Sequence, residues 1–197
     1  MARPFRPQSI GPALASLKPG QIDGGLLFFH AMGLVFEEKP RDALARLEQA
    51  LQTPGLLIER RTMLLFGCLL GSKTLHEWPA TESAEARDRL RSSVLSWVQE
   101  AASQQDWTPR EMLGLYEAAM LLEATQIAVP MAHKWQLLAP KDYRIRLAYV
   151  EALAIEGAVA RADTLLQDLE ANQRDADDAA KFRLNDVRRT INALKPH

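Results

Sequence analysis

The chain has 197 residues, 47% of them hydrophobic and 25% charged, with a formal net charge of −1. That length supports one domain with a sizeable core, without help from disulfides or metals. The charge balance supplies no global field to draw nucleic acid or anionic lipid, and the single cysteine, Cys68, excludes an intrachain disulfide framework.

One cysteine fits a reducing compartment. The N-terminus lacks the apolar run of a secretory signal. The longest apolar run, residues 63–71, is far shorter than the ~20 residues that cross a bilayer. These features lead us to expect no membrane insertion and a cytoplasmic location. The location would be periplasmic if the chain is an excised domain of an exported protein.

Residues 1–22 hold Pro4, Pro7, Pro12 and Pro19 and the basic residues Arg3, Arg6 and Lys18. Proline fixes φ and removes a donor, so the expectation is an extended arm, with Phe5, Ile10 and Leu14 available for docking. Residues 23–197 read as a single helical domain. Helix 1 begins near Asp23 and carries Leu26, Phe29, Met32, Gly33 and Phe36 at helical spacing. It ends before Pro40. Helix 2, residues 41–52, has Ala43, Leu44, Leu47, Ala50 and Leu51 as its stripe. Helix 3, residues 57–72, is the most apolar and is expected to be central. Gly67 and Gly71 lie four apart on it and suggest close approach of another helix.

Residues 73–82 contain Trp78-Pro79 and read as a loop. Helix 4, residues 83–103, buries Leu90, Val94, Trp97, Val98 and Ala101. Helix 5 opens with Thr108-Pro109-Arg110-Glu111, a capping box with proline at the first helical position. Helix 6 covers 126–138, with Pro130 at its first turn or so. Helix 7 covers 142–156 and stops at Gly157. Helices 8 and 9 cover 159–172 and 176–194. No segment shows β alternation bounded by hairpin turns. The fold class is therefore all-α, with about nine helices whose short loops make neighbours antiparallel.

An offset of 34 residues pairs Ala128 with Ala162, Leu115 with Tyr149 and Ala119 with Leu153. Pro140 follows helix 6 as a closing residue, and Gly157 falls in the turn of the next pair. These residues resemble the tetratricopeptide repeat (TPR) family, whose 34-residue helical pairs stack into a superhelix. Met32-Gly33, Phe36, Ala43, Leu47 and Ala50 look like an earlier copy, with a turn about two residues short. Tyr116 and Val150 depart from the family's small residue in the first helix. The resemblance implies an irregular α–α superhelix, a TPR-like solenoid closed by helix 9 as a C-terminal capping helix.

The residues for chemistry are sparse. The four histidines form no HExxH or other tight metal pair. Cys68 sits in an apolar run and reads as a buried, inert thiol. No glycine-rich phosphate loop and no GxSxG elbow is present. Arg183, Arg188, Arg189 and Lys195 read as cations toward the C-terminus of helix 9, with acids nearby that dilute any nucleic-acid patch. No catalytic residue, cofactor or metal site is assigned.

In the TPR family the first helix of each pair lines the concave groove. The resemblance therefore implies His30, Arg61, Tyr116, Glu117, Arg144, Tyr149 and Glu151 as protein-binding residues. The functional expectation is a protein–protein interaction module: an adaptor, chaperone or assembly subunit that takes a peptide or helix in a groove. Homo-oligomerisation is compatible with it. The competing expectations are an all-α enzyme using His30, His133 and nearby acids, and a soluble domain of a bacterial envelope or secretion assembly.

Overall fold

The computed structural model describes residues 23–53, 60–104, 106–172 and 178–195. The expected arm at 1–22 and the expected starts of helices 3 and 9 lie outside them. Among the described residues the secondary structure is nine α-helices and no strand. They are α1 (Gly24–Phe36), α2 (Pro40–Gln52), α3 (Arg60–His76), α4 (Ala84–Ser103), α5 (Pro109–Leu121), α6 (Thr125–Leu138), α7 (Tyr143–Ile155), α8 (Val159–Ala171) and α9 (Asp178–Leu194). Two compact units divide the chain, the first ending at Ala101 and the second starting at Ala102.

Side-chain caps fix several helix starts. Asp23 accepts from the Leu26 amide at 2.8 Å. Asp142 accepts from the amides of Arg144 and Ile145. The capping box at α5 is complete: the Glu111 amide donates to Thr108 Oγ1, and the Thr108 amide donates to Glu111 Oε2. Each cap satisfies amides that the first turn leaves without a partner.

Three helices end in one geometry. Glu38, Glu123 and Gly157 all have positive φ, at 58°, 56° and 89°. The next amide then reaches back five residues, as Lys39 to Leu34, Ala124 to Ala119 and Ala158 to Leu153, each at 2.9 Å. This is a Schellman closure. The following helix starts at once, at Pro40, Thr125 or Val159. Five residues past each left-handed residue stands an alanine with no exposure: Ala43, Ala128 or Ala162. The turn between α1 and α2 is therefore as long as the other two. The apparent two-residue deficit came from aligning Gly33. The position equivalent to Tyr116 and Val150 is Ala31, also without exposure.

In the first unit α2 packs against both α1 and α3. Gly67 and Gly71 mark a close approach: a Cβ on Gly67 would lie 2.9 Å from Leu47 Cδ2 and 3.0 Å from Trp97 Cε3, and one on Gly71 would collide with Val94. α3 is not enclosed on all sides, since Leu69 is 41% exposed and Leu65, Phe66 and Leu70 are half-buried. It also runs to His76, past the expected end at 72. Leu75 is buried there, and Ser72 and Thr74 return their hydroxyls to the carbonyls of Leu69 and Leu70. Cys68 has no exposure, and burial pushes its thiol up to about 12.

In the second unit α7 packs against α5, α6, α8 and α9. Its last core cluster joins Leu147, Val150 and Leu153 to Leu166, Leu169, Val187 and Ile191. Tyr143 donates its hydroxyl to the Leu169 carbonyl at 3.3 Å. Pro130 sits at the start of the second turn of α6, inside the helix. The carbonyl four residues earlier belongs to exposed Gln126, so water can replace the lost amide.

Two tests of this packing follow. A left-handed non-glycine residue costs about 1 kcal/mol. Urea denaturation should therefore show Glu123→Gly more stable by about that amount, and Gly157→Ala less stable by a similar one. Gly71→Ala gains helix propensity but forces Val94, which has no exposure, out of place. The net expectation is a loss of about 1–2 kcal/mol, and an unchanged denaturation midpoint would refute the close approach.

Candidate functional site

α7 is buried along most of its length, so a charge on it needs a partner. Glu151 is such a charge, its side chain only 8% exposed. It is the single buried charged residue among those described. Moving a carboxylate from water costs several kcal/mol, and only close donors offset that. Two neighbours provide them. Tyr116 on α5 donates its hydroxyl to Glu151 Oε2 at 3.0 Å, and Arg183 on α9 donates from Nη2 to the same oxygen at 2.6 Å. Burial, reinforced by the Glu151 charge, pushes the Tyr116 phenol far above its ordinary range, so it remains a donor.

Glu117 completes the group. Its Oε1 stands 4.0 Å from Arg183 Nε, too far for a hydrogen bond. That Nε is itself enclosed and has no acceptor. Glu117 is 42% exposed. Partial burial raises its carboxyl above the ordinary 4.5; Arg183 opposes that shift and Glu151 adds to it.

Glu117 and Glu151 lie 34 residues apart, at the same place on α5 and α7. One turn further along are Leu121, 41% exposed, and Ile155, half-buried. Beyond Glu151 on α7 a hollow of about 620 Å³ opens, lined by Ala154, Ile155, Gly157, Val159 and Leu194, with Asp163 and Lys195 at 3.0 Å from each other beside it.

The structure thus brings together three of the expected residues, Tyr116, Glu117 and Glu151. Tyr116 and Glu151 are committed to the interior, and Glu117 reaches the surface. Arg144 is half-buried at the start of α7, its guanidinium 3.8 Å from the capping carboxylate of Asp142. Tyr149 faces another way. Its ring meets His133 edge-on at 5.1 Å, and its hydroxyl accepts from Arg161 at 3.1 Å. His133 Nε2 lies 2.7 Å from Glu156.

His30 and Arg61 belong to the first unit and are half-buried. His30 Nδ1 is enclosed without a partner, and burial, then Arg46, lowers the imidazole below its ordinary value. A hollow of about 690 Å³ in that unit is lined by Arg41, Leu44, Glu48, Trp78, Leu90 and Ser93, among others, and by neither of these two. Arg41 lies 4.3 Å above the Trp78 ring, and Ser93 donates to Glu48 at 2.8 Å.

Arg183 is the residue the sequence reading misplaced. It lies in the second turn of α9 and acts as the counterion of Glu151. The other cations of α9 and the residue after it also face carboxylates: Lys181 pairs with Asp178, Arg188 with Glu170, Arg189 with Asp186 and Lys195 with Asp163. The 34-residue spacing of Glu117 and Glu151 was the available signal, since two acids in register call for a cation on the next helix in the row.

The raised Glu117 carboxyl sets a pH dependence. Below 4.5 it is protonated in both folded and unfolded chains and has no effect. As pH rises past 4.5 the unfolded chain loses its proton first, so folded stability falls until the folded carboxyl has also ionised. Glu117→Gln should lack this fall. Urea denaturation across the range should show the variant gaining on the parent above 4.5, and parallel profiles would contradict the placement.

No protein-family model matches the chain, and a search of curated proteins finds no match.

Proposed function

We propose that the protein is a protein–protein interaction module of TPR-like form, and that the face shared by α5, α7 and α9 docks a peptide or helix. The observation that carries this reading is the combination on that face. Buried Glu151 on α7 takes donors from both α5 and α9, and beside it stand a carboxylate without a hydrogen bond, exposed Leu121, and half-buried Ile155 at a hollow of about 620 Å³. Apolar side chains at one-turn spacing with a charged contact for register suit helix-in-groove recognition. Glu151 and Tyr116 hold the scaffold, and Glu117 is the contact. An adaptor, chaperone or assembly subunit would use such a face, and a cytoplasmic setting accords with the single cysteine.

Site-specific photo-crosslinking in the producing cells tests the reading. A photoreactive residue at Leu121 or Ile155 should give discrete adducts with another protein, and one at exposed Gln167 on α8 should not. Equal labelling at all three positions, or none at Leu121 and Ile155, would refute it.

A further inference from the structure

The docking face has a chemical preference written into its charges. One oxygen of Glu151 takes both the Tyr116 hydroxyl and the Arg183 guanidinium. Arg183 gives it one N–H, from Nη2, at 2.6 Å, while its enclosed Nε has no acceptor. Two carboxylates therefore share one guanidinium, and the formal charge of the group is −1. The excess resides on Glu117, which accepts no hydrogen bond among the described residues and stands 4.0 Å from the nearest cation. It is partly exposed, so an incoming group can reach it.

The other cations on this face do not cancel it. Arg110 and Arg144 lie seven residues before Glu117 and Glu151, two turns or about 10.5 Å along their helices. At that range exposed charges are screened at physiological salt. Arg144 is moreover engaged with Asp142. On the other side of the carboxylates the surface turns apolar within one turn, at Leu121 and Ile155, and the hollow there carries the Asp163–Lys195 pair at its edge, which adds no net charge.

From this we infer that the partner segment carries a lysine or arginine that pairs with Glu117, and an apolar side chain that enters the hollow formed by Ile155, Val159 and Leu194. The inference rests on the docking role proposed above. A cation placed there supplies the donors that Glu117 lacks. It also relieves the repulsion between Glu117 and Glu151, and its pairing is strengthened by the partial burial of the carboxylate. An acidic segment would instead meet the excess negative charge, which makes the same face selective.

The test is selection of random dodecapeptides displayed on phage against the immobilised full chain, followed by fluorescence polarisation of the enriched peptides. The expected set is rich in lysine or arginine and also carries a leucine, isoleucine or phenylalanine. Affinity for it should fall about tenfold or more in Glu117→Gln, which is expected to fold at least as well as the parent. Ile155→Arg should abolish binding, and Gln167→Ala should leave it unchanged. Enrichment of acidic or uncharged peptides, or binding indifferent to Glu117→Gln, overturns the basic-segment inference and leaves the docking face standing. Failure to enrich any peptide that depends on Ile155 overturns the docking face itself, and the inference with it.

Discussion

A carboxylate inside a helical core must be paired, and the second unit is arranged around that requirement at Glu151. α7 is enclosed by four other helices, so its one buried charge takes donors from two of them. Removing one partner of such a pair typically costs about 3–5 kcal/mol, because it strands a charge away from water. The pairing does more than offset desolvation. Hydrogen bonds have narrow geometry, and apolar contacts slide. Tyr116, Glu151 and Arg183 therefore tie α5, α7 and α9 to one another at a single level.

The turns make that row reachable. Glu38, Glu123 and Gly157 each end a helix with a left-handed residue and return the chain within three residues. A buried alanine follows each at the same distance, at Ala43, Ala128 and Ala162. The small side chain lets the second helix of a pair lie close, even where Tyr116 or Val150 supplies bulk on the first. Two of the three turns carry glutamate in place of glycine, which shows that tertiary packing sustains the conformation without the residue that favours it most.

Much of this was legible in the sequence because it depends on local chemistry. Thr108 and Glu111 announce a capping box, Gly157 announces a stop, and Gly67 with Gly71 announces a close approach. Less legible was anything decided between helices. Ala31 and Gly33 are both small and both buried, so spacing alone does not say which stands at the equivalent place. Ser72 and Thr74 extend α3 by bonding backward, a choice that polar composition disguises as a loop. Pro130 looks terminal until the helix is seen to begin at Thr125. Arg183 looked like one cation among several, because its partner lies 32 residues away on another helix.

The contrast between Glu117 and Glu151 carries the functional argument furthest. The two are the same residue type, 34 positions apart and in register on successive first helices. Their environments differ because α7 has a first helix on either side within its unit, and α5 has α7 alone. The inner glutamate thus gains donors from both neighbours and becomes architecture. The outer one meets only the far edge of Arg183, at 4.0 Å, and keeps lone pairs to offer. A single repeated residue therefore serves two ends, with the fold taking one carboxylate to hold its helices in line and leaving the other at the surface with its charge unspent.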